Sequence, residues 1–292
     1  MDKRDIIDMF LKNGLMMSPE EAEAIDEKNY IQMLEKRLKE TKKDEVVVEE
    51  PKTGRISCEE FIKICSRKFE LLRGILLKKT DAVSINKGKK VFSELTIIGR
   101  VKGTAPRGFV IEDVTGETEV ASDNNSIKTG DVLGLRGFFR ENCFSPNQII
   151  WPDIPLENSP RPVHIKITLA PRFREGMSGV VLCPSARKAD NIISGFGRLG
   201  VIKISKHGRE LVVMAYSPSA ALTEDEAVKM LKRRQIQEEG VVDNMIYEIP
   251  GILWLLSNGK NWTRNYRGVV IISTDADSFA EYDGDDVSFG SL

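Results

Sequence analysis

The sequence predicts a multidomain α+β protein with a small N-terminal helical module, a five-stranded β-barrel and a mixed strand-and-helix domain. Three observations carry this. At 292 residues the chain has material for about two domains. Ser/Thr-x-x-Glu capping boxes at Ser18–Glu21, Ser57–Glu60 and Thr223–Glu226 mark three helix starts, because each pairs an N-cap hydroxyl with a reciprocal carboxylate. From about Phe92 the hydrophobic period changes from helical spacing to short β-rich segments, which is the signature of strands.

Bulk properties narrow the function. A hydrophobic share of 41% with 30% charged residues suits a globular chain. The formal net charge of −1 gives no global attraction to polyanions, so contact with nucleic acid would have to come from a local patch. The run "IPGILWLL", Ile249 to Leu256, is far short of the roughly 20 residues that cross a bilayer. "MDKRDIIDMF" places acids in the first turn and lacks the apolar core of a signal peptide. No membrane association and a cytoplasmic location are therefore expected. Cys58, Cys65, Cys143 and Cys183 form no C-x-x-C pair, which speaks against a zinc ribbon or redox motif. They read as reduced, small apolar residues.

Taken in order, residues 1–36 read as the helical module, with Ile6, Ile7, Met9 and Phe10 at helical spacing and a Pro at the first position of the second helix. Residues 37–55 are charged, aperiodic and contain Pro51; they read as a linker. Residues 56–90 open with the Ser57 capping box and place Phe61, Ile64, Cys65, Phe69, Leu72 and Leu76 on one helical face. Over 91–155 come five β-rich segments, at 94–101, 108–113, 117–122, 131–139 and 147–151. Gly99, Gly134 and Gly137 lie inside them and permit sharp coiling. Asp113–Gly116 signals a tight turn. Five strands in so short a stretch with this glycine pattern point to an OB-fold. Residues 156–274 mix strand candidates with the helix opening at Thr223 and extending to about Gln237, an α/β or α+β arrangement. The acidic end, 275–292, reads as a frayed tail.

Candidate chemistry is sparse. Arg100, Lys102, Arg107, Lys128, Arg136 and Arg140 lie on or near the barrel, and Phe109, Phe138 and Phe139 are available to stack. That pairing of cations with aromatics is what a single-strand-binding barrel uses. The competing reading is a protein-docking barrel with solvated charges. Cys183 ends a short apolar strand, but the position six residues on is Ala189, not the Arg that a cysteine phosphatase requires. An EF-hand loop starting at Asp275 would place Ala280 where the motif needs Gly. His164 and His207 are the only histidines, too few for the usual dinuclear hydrolase set.

Phe69–Asn86, the barrel, Asn147–Pro155 ("NQIIWPDIP"), Met230–Gln235 ("MLKRRQ") and Asn265–Ser273 ("NYRGVVIIS") resemble the small subunit of archaeal family D DNA polymerase. The resemblance implies an OB-fold joined to a calcineurin-like metallophosphoesterase domain. Active members of that family are 3′–5′ exonucleases that proofread for a large subunit. The same architecture with a dead phosphoesterase forms the B-subunits of eukaryotic replicative polymerases. Motif by motif, the family's ligands are missing. Its Pro-Gly-Asn-His-Asp loop reads Pro184, Ser185, Ala186, Arg187, Lys188 here. Its His-Gly pair corresponds to Ala215 and Tyr216. Its Gly-His-x-His reads Leu256, Ser257, Asn258, Gly259. The early Asp-x-His has no counterpart in His164–Phe173, and the domain is shortened between about Pro171 and Gly179. The metal positions would thus be lost at Ala186, Arg187, Ala215, Ser257 and Gly259, and Arg187 with Lys188 would repel cations there.

The sequence therefore suggests a shortened, catalytically dead paralogue with a truncated phosphoesterase-like domain, no metal and no cofactor. Its expected role is as an accessory or scaffolding subunit in DNA replication. The expected partner is a polymerase large subunit or another replication protein, with Trp151 and Trp262 as interface anchors. A single-stranded DNA or RNA binder acting through the barrel is the alternative, and an exonuclease with a rebuilt site is the third reading.

Overall fold

The computed structural model describes residues 6, 45–49, 57–141, 143–156, 166–184, 192–194, 196, 198–206, 209–236, 245–284 and 286–292. Apart from Ile6, the N-terminal module lies outside them, as do His164, His207 and the loop carrying Ala186 and Arg187. Strands dominate, and the described residues divide into two compact units. The linker expected over 37–55 contains a strand, β1 (Glu45–Glu49), that belongs to the second unit. Its Val-Val-Val run pairs antiparallel with a neighbour, so β-propensity outweighs the flanking charge.

The first unit draws on Pro51–Leu156 and Leu222–Tyr247. Helix α1 (Cys58–Leu77) starts where the capping box places it, with the Glu60 backbone N–H donating to Ser57 Oγ at 3.1 Å. Only Leu72 and Leu76 of its apolar face are buried. They pack with Ile98, Val132 and Met245, while Phe61 is 50% exposed. Helix α2 (Ile85–Gly88) follows and lowers Ile85 into the barrel core. The barrel is built from β2 (Leu95–Ala105), β3 (Gly108–Asp113), β4 (Gly116–Ala121), β5 (Val132–Arg140) and β6 (Cys143–Ile150). It closes in the order β2-β3-β4-β6-β5, with β5 returning to β2. All pairings are antiparallel except β4 with β6. Ile97, Val101, Ile111, Val120, Leu133, Leu135 and Phe144 fill the interior. A Cβ at Gly99 would lie 2.6 Å from the Glu112 carbonyl oxygen, and one at Gly137 only 2.1 Å from that of Ser145. Gly137 sits at a register shift where β5 bends, so the coiling the glycines foretell is real. Gly137→Ala should cost about 1–3 kcal/mol by overpacking, read as a lower urea midpoint at unchanged slope.

Helix α3 (Glu224–Arg233) has both arms of its capping box, with Thr223 N donating to Glu226 Oε2 at 2.8 Å. That contact holds the Glu226 carboxyl below its ordinary range. The helix ends at Arg234 in the left-handed region, φ 56°, short of the expected Gln237. Its position in the chain predicts membership of the mixed domain, but it belongs to the barrel unit. Polar contacts bind it there: Arg233 pairs with Asp131 at 3.3 Å and Gln235 Nε2 donates to the Gly130 carbonyl at 3.5 Å.

The second unit is a two-sheet sandwich. Its strands are β7 (Ile167–Leu169), β8 (Val180–Leu182), β9 (Ile192–Ile193), β10 (Leu199–Lys206), β11 (Arg209–Tyr216), β12 (Ile252–Leu255), β13 (Trp262–Tyr266), β14 (Val269–Ser273), β15 (Ser278–Tyr282) and β16 (Val287–Ser291). One sheet runs β1-β10-β11-β12-β14-β13, the other β16-β15-β7-β8-β9. The neighbours β11, β12 and β14 are parallel, as are β7, β8 and β9. Between the sheets pack Ile167, Leu169, Leu182, Phe196, Val213, Ile252, Trp254, Ile272 and Tyr282. The tail expected to fray instead forms the hairpin β15–β16, and β15 pairs with β7. The reason is local. Ser278, Ala280 and Tyr282 alternate inward, while the acids cap turns, as where Asp277 N donates to Asp275 Oδ1 at 2.9 Å and Asp286 N to Asp283 Oδ1 at 2.9 Å. No helix among the described residues is long and apolar enough to cross a membrane.

Candidate functional site

In a sheet with parallel strands, ligands gather at the carboxyl ends. Here those ends are β11, β12 and β14. Ala215, near the end of β11, is 1% exposed and presents a methyl group. After β12 the chain turns through Ser257 at φ 50° and Gly259 at φ 79°. Between them Asn258 is 2% exposed, its Nδ2 donating to Ser273 Oγ at 3.0 Å and its backbone N–H to the Thr274 carbonyl at 2.7 Å. Ser273 Oγ donates to the Lys260 carbonyl at 2.7 Å, and Trp254 Nε1 to Thr274 Oγ1 at 3.0 Å. These groups are neutral, and the Asn258 amide, the Ser273 hydroxyl and the Trp254 indole N–H are all engaged as donors. Cys183 is buried against Val181 and Ile192. No group of three or more His, Cys, Asp or Glu that could hold a metal occurs among the described residues. A dinuclear site needs anionic and imidazole donors converging on two cations, and the described groups at these strand ends do not fit one.

Of the cations singled out on the barrel, Arg100, Lys102 and Arg136 are ion-paired. Arg100 and Lys102 on β2 face carboxylates on β3 and β4. Arg100 Nε donates to Glu112 Oε1 at 3.0 Å, and Lys102 Nζ lies 2.5 Å from Glu117 Oε2. That second contact holds the Lys102 ammonium above its ordinary pKa and the Glu117 carboxyl below its own. Arg136 Nε lies 3.4 Å from Glu94 Oε2. Arg107 is exposed in the β2–β3 hairpin, Arg140 is exposed at the end of β5, and Lys128 lies in the β4–β5 connection. Of the aromatics, Phe109 is buried, Phe139 packs edge-on to Phe144 at 4.9 Å, and Phe138 alone stays 36% exposed.

The tryptophans divide. Trp262 is half-buried on β13, an edge strand. Trp151 packs against the barrel core, with the Arg233 guanidinium 5.5 Å from its ring centroid. Around it two sequence stretches meet. "WPDIP" supplies Trp151 and Asp153, and "MLKRRQ" supplies Arg233 and Arg234. Lys79 Nζ donates to the carbonyls of Trp151 at 3.2 Å and Asp153 at 2.9 Å. Burial lowers the Arg234 guanidinium pKa, and the Asp153 charge opposes that shift. Asp131, 0% exposed, has its carboxyl pKa raised by burial against the pull of Arg233.

Residues absent from the sequence-based candidates also stand out. Phe92 is 96% exposed, and it follows the exposed Lys87, Lys89 and Lys90. The signal was the string "KGKKVF" (Lys87–Phe92), which in sequence alone is indistinguishable from a solvated connector.

No protein-family model matches the chain. Among curated proteins it is similar to the DNA polymerase II small subunit of Archaeoglobus fulgidus, with 24% identity over 173 residues, covering 54% of this chain. The chain spans 34% of that relative's length.

Proposed function

We propose that this chain is a non-catalytic accessory subunit of a replicative DNA polymerase, distantly related to the family D small subunit. The observation that carries the reading is the neutral hydrogen-bonded set at the ends of β11, β12 and β14, where the resembled family places metal ligands. Asn258 donates there to Ser273 and Thr274, and the groups are neutral, so a hydrolytic metal pair has no seat among the described groups. The barrel's strand order, with one parallel closure between β4 and β6, supports an OB-fold. The two packed sheets of the second unit support a reduced phosphoesterase-like sandwich. The similarity to the Archaeoglobus fulgidus subunit and the meeting of "WPDIP" with "MLKRRQ" around Trp151 point the same way. With the ligands gone, what remains for the fold to do is hold another protein, and a polymerase large subunit is the partner this reading names.

The test is co-expression with the family D large subunit of the same organism, followed by size exclusion. A stoichiometric complex is expected, and Trp262→Ala should weaken it, since buried tryptophans dominate such interfaces. Separate elution would overturn the reading. In parallel, the purified chain with Mn²⁺ should release no nucleotide from a 3′-labelled single strand. Release that survives repurification would replace an accessory role with an enzymatic one.

A further inference from the structure

The barrel unit carries a second feature that a subunit-docking role does not use. Leu95 of β2 pairs with Gly137 of β5 in antiparallel register. The chain entering β2 therefore runs beside the end of β5. That lead-in bears Phe92, 96% exposed, and the β5 end bears Phe138, 36% exposed, followed by Arg140. Just upstream, α2 is fixed in place. Ile85 is in the barrel core, the Ile85 backbone N–H donates to Asp113 Oδ2 at 2.9 Å, and a Cβ on Gly88 would lie 2.8 Å from the Phe139 ring. Lys87, Lys89 and Lys90 are thus displayed from an anchored segment. Lys89 Nζ donates to a backbone carbonyl, that of Glu117, at 2.8 Å. Of the nearby carboxylates, Glu94 is engaged by Arg136 at 3.4 Å and Glu117 by Lys102 at 2.5 Å, while Glu141 is exposed beside Arg140. Lys87 and Lys90 are therefore less neutralised than the cations of the ion-paired β2–β4 face.

Exposing an aromatic ring almost completely costs hydration free energy. A ring displayed among cations is what binds an unpaired base, which offers a π-face for stacking and a phosphate for each neighbouring charge. We infer that Lys87, Lys89, Lys90, Phe92, Phe138 and Arg140 form a binding strip for single-stranded nucleic acid, distinct from the β2–β4 face. This inference is independent of the polymerase-partner reading, since it concerns the isolated chain.

The experiment is fluorescence anisotropy of the full chain with a labelled mixed-sequence single strand of about 16 nucleotides, the upper end of a one-barrel site. A duplex of the same sequence is the comparison. With four cations engaged, log K should fall with log salt at a slope of about −3. The double variant Lys87→Gln/Lys90→Gln should reduce the slope to about −1.4. Phe92→Ala should weaken binding roughly tenfold with the slope unchanged, as loss of one stacking platform predicts. Arg100→Gln, on the ion-paired face, should leave affinity unchanged, because the freed Glu112 stays beside Lys102. The inference is overturned if the wild type fails to bind at roughly 50 mM salt, a condition that favours phosphate contacts. It is equally overturned if Phe92→Ala binds like wild type, or if duplex or poly-glutamate competes as well as single strand. Those last results would mean attraction by bulk charge alone. Unchanged thermal melts of the exposed-site variants keep the comparison free of folding effects.

Discussion

Arg233→Met is expected to destabilise the barrel unit by about 3–5 kcal/mol, the usual cost of stranding one member of a buried ion pair. Asp131 has no exposed surface, and Arg233, 6% exposed, lies 3.3 Å from it. Arg233 also donates to the Ser126 carbonyl and covers the Trp151 ring. One side chain thus ties α3 to the β4–β5 connection and to the exit from β6. Removing both charges in Arg233→Met/Asp131→Asn should recover most of the loss, because the penalty lies in the unpaired charge. The pH dependence has a definite sign. Burial raises the Asp131 carboxyl in the folded state, with Arg233, Lys128 and Lys68 opposing. Such a carboxyl favours folding when protonated, and its contribution falls as pH rises from the unfolded value of about 3.9 through the raised folded value. Without Arg233 the folded value rises further. The defect of Arg233→Met should therefore be larger at neutral pH than near pH 4. Urea titrations at the two pH values check this, and an equal defect at both would remove the ion pair as the cause.

Trp254→Ala is expected to cost about 3–5 kcal/mol in the sandwich, the range for truncating a fully buried large aromatic. Trp254 is 0% exposed between the two sheets, 6.3 Å from the Phe196 ring centroid, and its indole N–H bonds Thr274. Truncation opens a cavity and frees a buried hydroxyl at the end of β14. Because Thr274 also accepts from Asn258, the neutral network at the strand ends should loosen with it. Hydrogen exchange should accelerate at Asn258 and Thr274 beyond the rest of the sheet. Trp254→Phe, which keeps the volume better but lacks the donor, should lie between the two.

Much of the local structure was legible. The Ser57 and Thr223 capping boxes place α1 and α3 because a cap is a contact within four residues. Gly99 and Gly137 announce a coiled barrel because only the absence of a Cβ admits the neighbouring carbonyl. The errors share a different cause. Charge density over 37–55 and 275–292 suggested a linker and a frayed end, yet β1 and β15–β16 are paired strands. The partners that make them strands, β10 and β7, lie more than a hundred residues away in the chain, beyond the reach of any local window. Chain position predicts α3 in the mixed domain, but a buried ion pair to Asp131 ties it to the barrel unit. Arg100, Lys102 and Arg136 looked like free cations because the sequence does not show that β3, β4 and the lead-in to β2 set Glu112, Glu117 and Glu94 against them.

By itself the sequence determined the starts of α1 and α3, the glycines that the barrel strands require, and the motif stretches that carry the polymerase-subunit resemblance. All of these depend on short-range sterics, on capping hydrogen bonds or on residue identity at a motif. Only the tertiary structure decided which charges are neutralised, which apolar residues of α1 stay uncovered and which remote segments complete each sheet. Ion pairing and burial depend on distances between residues far apart in the chain. The exposed strip at Lys87–Phe92 became visible only once the barrel had closed beside it.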